Sequence, residues 1–138
     1  MGHRKKTVRA AALALVLVTS GFGASACSSA PAASPGATSC ADFATLIATA
    51  VSANNGATDQ ATVLKNGQAL AQSLTQEAAK ATDPKARAAM TAFAGDYTTL
   101  ISTIRQADGG DKAAEAAVST VSAKITTDSA AVKSACGN

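Results

Sequence analysis

The sequence predicts an all-α domain, a small up-down-up-down four-helix bundle, and three observations point there. Beyond residue 38, four stretches repeat apolar side chains at i, i+3, i+4 and i+7, the period of a helix with one buried face. Short breaks of Asn, Gly, Asp and Pro separate them, and connections so short favour antiparallel neighbours. The composition is rich in Ala and Thr, with aromatics at only 3%. Ala-rich periodic stretches suit helix, and strand signals are absent.

The first helix is expected from Ser39, which stands three residues before Asp42. That spacing allows a capping arrangement and sets a negative charge in the first turn. Phe43, Leu46, Ile47, Ala50 and Val51 then form one stripe, and Asn54-Asn55-Gly56 ends it. A second helix is predicted from Thr58-Asp59 to about Ala81, with Val63, Gly67, Leu70, Leu74, Ala78 and Ala81 inward. Lys65, Gln72, Gln76 and Lys80 fall on its outer side. Gly67 costs about 1 kcal/mol against Ala in a helix interior, so close approach of a neighbouring helix is its expected reason.

Asp83-Pro84 restarts the chain: Asp83 can cap, and proline at the first helical position gives up an amide that lacks a partner anyway. The third helix carries the richest stripe, Met90, Phe93, Ala94, Tyr97, Leu100, Ile101 and Ile104, and stops at Gly109-Gly110. Asp111 opens the fourth. Its stripe is Ala114, Val118, Val121, Ile125, Val132 and Cys136, before Gly137-Asn138.

Ahead of these helices lies a different kind of segment. Arg4, Lys5, Lys6 and Arg9 form a basic start, followed by an uncharged, Leu-, Val- and Ala-rich run from Ala10 to Gly23. A charged block, a short apolar core and a small-residue ending are the marks of a secretory signal peptide. A bilayer span needs roughly 18 to 20 apolar residues, and this run is shorter. The segment closes on Ala24-Ser25-Ala26-Cys27. Ser25, Ala26 and Cys27 resemble the lipobox of bacterial lipoproteins, although Ala24 stands where that family most often has Leu. The resemblance covers about the first fifth of the chain. It implies cleavage after Ala26, a diacylglyceryl group on the Cys27 thiol, and fatty acyl chains such as palmitate holding the protein to the membrane. The basic block contains no Arg-Arg pair, which favours general secretion over the twin-arginine route. Residues 1–26 are thus expected to be a signal peptide, 27–38 a lipid-anchored tether and 39–138 the helical domain. The tether is made of Ser, Ala, Pro, Gly and Thr, and about a dozen such residues span roughly 20 Å.

Three cysteines, Cys27, Cys40 and Cys136, are an odd count for an exported protein. With Cys27 lipidated, Cys40 and Cys136 remain as a pair in an oxidising compartment, which favours one disulfide. Two buried free thiols are the alternative. An up-down-up-down course brings the start of the first helix and the end of the fourth to one end of the bundle, and the two cysteines stand at those places.

Charge and residue types then narrow function. The formal net charge is +3, but four of the twelve basic residues precede Cys27 while all nine acidic ones follow it. The mature chain is near neutral, which removes the electrostatic case for nucleic-acid binding. The single histidine, His3, also lies before Cys27. No Ser-His or Cys-His pair can therefore form after cleavage. No catalytic residue, metal site or cofactor site is assigned. Asp108 and Asp111 around Gly109-Gly110 could hold a cation weakly, but a helix end followed by a cap explains them better. Tyr97 could ligate haem, yet a packed tyrosine is far commoner, and Met90 beside Phe93 reads as core. Asp96 and Arg105 read as solvated-face charges. Two functions remain: a non-enzymatic envelope protein contacting a protein or cell-wall component from a lipid anchor, or a carrier of a small apolar or haem-like ligand inside the bundle. Small Ala seams leave little void, which weighs against the carrier.

Overall fold

Three aspartates begin three of the four helices. The computed structural model describes residues 35–137; the expected signal peptide, Cys27, the tether as far as Ser34, and Asn138 lie outside the described residues. Within them run α1 (Pro35–Asn55), α2 (Gln60–Lys80), α3 (Pro84–Asp108) and α4 (Lys112–Cys136), with no strand among the described residues. Asp59 accepts from the Thr62 amide at 2.8 Å, Asp83 from the Ala86 amide at 2.8 Å, and Asp111 from the Ala113 and Ala114 amides at 2.9 and 3.1 Å. Each carboxylate satisfies amides that the helix itself leaves without acceptors.

The first helix departs from expectation. It starts at Pro35 rather than Ser39, so the last four residues assigned to the tether are helical. Proline has no amide to leave unpaired and a φ already suited to a helix start. Ser39 therefore caps nothing; it lies inside α1 and is buried. At the other breaks the expected residues act. Gly110 takes φ +96° between α3 and α4, and Gly137 takes φ +76° after α4, where its amide donates to the Lys133 carbonyl. Positive φ is cheap only without a Cβ.

The helix α3 is the hub, packed along α4 on one side and α2 on the other, while α1 lies on α2 and meets α3 and α4 more sparsely. Phe43, Leu74, Met90, Phe93, Leu100, Ile125 and Val132 are the largest fully buried side chains. Phe43 meets Phe93 edge to face, with centroids 5.6 Å apart, an arrangement favoured by the ring quadrupoles. Between these anchors the seams are filled by Ala71, Ala78, Ala81, Ala86, Ala94 and Ala114. Val118 and Val121, expected inward on α4, are only half-buried. Gly67 has the reason anticipated for it. A Cβ there would run into Ile101 Cδ1 and lie 3.8 Å from the Tyr97 hydroxyl, so the α2–α3 approach depends on its absence.

Polar ties mark how the helices run. Gln60 at the start of α2 donates to Asp108 at the end of α3, and Lys124 in mid-α4 meets Asp96 in mid-α3 at 2.8 Å. Cys40 and Cys136 form a disulfide across a Cα–Cα distance of 5.9 Å, joining the second turn of α1 to the last residue of α4. An up-down-up-down course would bring together the same ends. Among the described residues no helix is long and apolar enough to cross a membrane.

Candidate functional site

Two surface grooves and one polar cluster at a helix seam carry the chemistry of the domain. The larger groove, about 590 Å³, runs between α2 and α3. Its α2 wall is made by Gln68, Gln72 and Gln76, and its α3 wall by Thr98, Ser102 and Arg105, over a floor that includes Ala71 and Ile101. The sequence dictates this layout. Positions 68, 72 and 76 are one turn apart on the face opposite Leu70, Leu74 and Ala78, so the amides form a ladder outside the core. The hydroxyls of Thr75, Thr98 and Ser102 donate back to their own helices at 2.8–2.9 Å, leaving oxygen lone pairs to face the groove. The three glutamine amides and the Arg105 guanidinium have no side-chain partner among the described residues.

The second groove, about 470 Å³, lies between α1 and α2 and differs in charge. Leu46, Ala50 and Leu70 form part of its apolar lining, while Asp42 and Glu77 bring two carboxylates. The Glu77 side chain is only 8% exposed and is held by Lys80 at 2.8 Å. Periodicity alone missed the burial of Glu77, because the position adjoins the expected stripe and α1 folds over it.

At the α3–α4 seam the structure corrects the reading of Asp96 as a solvated charge. Its side chain is 17% exposed and pairs with Lys124 beside Asp128. The hydrogen bond from Lys124 holds the Asp96 carboxyl below its ordinary pKa. Burial, then the neighbouring Asp96, push Asp128 upward, and one Asp128 oxygen is buried without a hydrogen-bond partner. Two neighbouring carboxyls disfavour both being charged at once, and the hydrogen bond from Lys124 favours the charge on Asp96. These residues are 32 positions apart on different helices, so no local motif announces them.

Tyr97 is fully inside, stacked on Phe93 with centroids 6.3 Å apart, and its hydroxyl lacks a partner. Burial pushes its pKa up to about 12. Ile101 packs against Gly67 close to the hydroxyl. Met90 is core, as expected. Asp108 accepts from Gln60 and Asp111 caps α4, so each carboxylate is committed. No three His, Cys, Asp or Glu side chains gather as a metal site among the described residues. Cys27 lies outside them, while Cys40 and Cys136 are brought together. The chain matches no protein-family model, no curated protein and no solved structure.

Proposed function

We propose that the chain is an exported helical binding domain, held by lipid on Cys27 at the outer face of a bacterial membrane, that acts by contact with another envelope component. The observation that carries this reading is the Cys40–Cys136 disulfide. Disulfides persist in oxidising compartments, which fits export through a signal peptide at residues 1–26. The same bond accounts for two of three cysteines and leaves Cys27, the lipobox position, as the remaining thiol. Binding rather than catalysis is favoured by the residue inventory, since the single imidazole, His3, would leave with the signal peptide. The partner is a protein or cell-wall component, and a near-neutral mature chain gives nucleic acid no electrostatic hold.

Replacing the anchor residue tests this reading. In a bacterial host that processes lipoproteins, the parent chain is expected in the membrane fraction, extractable only with detergent. Cys27→Ser is expected to move it into the soluble exported fraction with its fold intact. An unchanged membrane association in the variant would contradict anchoring at this position.

A further inference from the structure

The geometry of the α2–α3 groove points to a ligand class: we propose that it binds an acidic glycan, a sugar chain carrying carboxylates. Gln68, Gln72 and Gln76 repeat along α2 about 6 Å apart, four residues at 1.5 Å each. A primary amide both donates and accepts, as a sugar hydroxyl does, so the ladder offers a matched pair of bonds at each step. The facing hydroxyl oxygens of Thr98 and Ser102 have already given their hydrogens to carbonyls of α3 and present acceptors. Ala71 and Ile101, both buried, close the bottom of the groove, so the apolar surface open to a pyranose ring is that of the methylenes of the glutamines and the methyls of Thr75 and Thr98. Polar groups carried on aliphatic stems suit an amphipathic ring better than a purely apolar ligand.

Charge selects the acidic member of that class. Arg105 is the one charged residue lining the groove, and its fork matches a carboxylate in two parallel hydrogen bonds. No carboxylate lines the groove to oppose an anion, whereas the α1–α2 groove contains Asp42 and Glu77 and would repel one. Binding of this kind needs no lipid on Cys27 and can fail or succeed separately from the anchoring proposal.

The test is a calorimetric titration of the purified chain with tetragalacturonate, and with cellotetraose as the neutral control. Saturable binding of the acidic tetramer is expected, with the neutral one weaker. Arg105→Gln is expected to weaken the acidic tetramer about tenfold, the equivalent of about 1.4 kcal/mol, and Gln72→Ala to weaken both sugars. All the replaced side chains are exposed, so an unchanged melting curve separates loss of contact from loss of fold. Absence of saturable binding, equal affinity for the two tetramers, or affinities unmoved by both substitutions would overturn the proposal.

Discussion

Single side chains left unsatisfied inside the domain give the sharpest tests of its packing. The Tyr97 hydroxyl is buried without a partner, and an orphaned buried polar group costs about 1–3 kcal/mol. Tyr97→Phe keeps the ring stacked on Phe93 and removes the orphan. It is expected to raise thermal stability by about 1 kcal/mol, a Tm gain of about 4–8 °C for a domain of this size. A clear loss of stability would reveal a partner for the hydroxyl. Asp128 makes a pH-dependent case. Its folded pKa is raised, so its contribution to stability is full below the ordinary carboxylate value of 3.8 and is lost as pH rises through the folded value. Asp96 has the opposite sign: its contribution, held by Lys124, is present above the ordinary value and lost as pH falls through the lowered one. Asp128→Asn fixes an uncharged side chain at this position. Its Tm relative to the parent is expected to rise between pH 3.5 and pH 7, and a flat difference would argue that Asp128 is already well solvated. The placing of Tyr97 and Phe93 on one apolar stripe was readable from the sequence. The polar pairing was not, because Asp96 and Asp128 meet only after α3 and α4 have packed.

Helix boundaries were most legible where a side chain does the starting. Asp83 and Asp111 cap as the sequence suggested, and Asp59, read only as the start of its helix, caps as well, since an aspartate before a helical pattern can answer free amides within its own turn. The start of α1 was misplaced because Ser39 and Asp42 imitate a cap while Pro35, four residues earlier, provides a start of its own. Asp111 answers two amides of the helix packed most extensively on α3. Asp111→Ala is therefore expected to cost about 1 kcal/mol, read as a lower urea midpoint with an unchanged slope. A change within measurement error would mean that water replaces the cap. The grooves were not legible at this scale. Periodicity set Gln72 and Gln76 on an outer face, but which helix would wall the other side depends on how α2 and α3 cross.

The molecule as a whole rests on a thin core closed by one covalent clasp. Alanine fills much of the seams, and each buried Leu, Ile or Phe contributes only about 1.5–3 kcal/mol. The disulfide spans 96 residues, a loop whose closure is worth about 4–5 kcal/mol in the chain-entropy model. That is a large share of a typical net stability of about 5–15 kcal/mol. The double replacement Cys40→Ser with Cys136→Ser is expected to lower Tm by tens of degrees, and an unchanged Tm would show that packing alone holds the bundle. Four helices and the position of the clasp could be read from stripes, breaks and two cysteines at the ends of the domain. Function could be read less far, because binding surfaces on helical bundles are built from ordinary outward-facing residues such as Arg105. The central claim is a division of roles among three sulfurs, and the intact mass of protein extracted from membranes tests it most directly. The expected mass is that of the chain from Cys27 onward, increased by a diacylglyceryl group and reduced by the two hydrogens of one disulfide. A mass showing an unmodified Cys27 thiol, or two free thiols at Cys40 and Cys136, would contradict it.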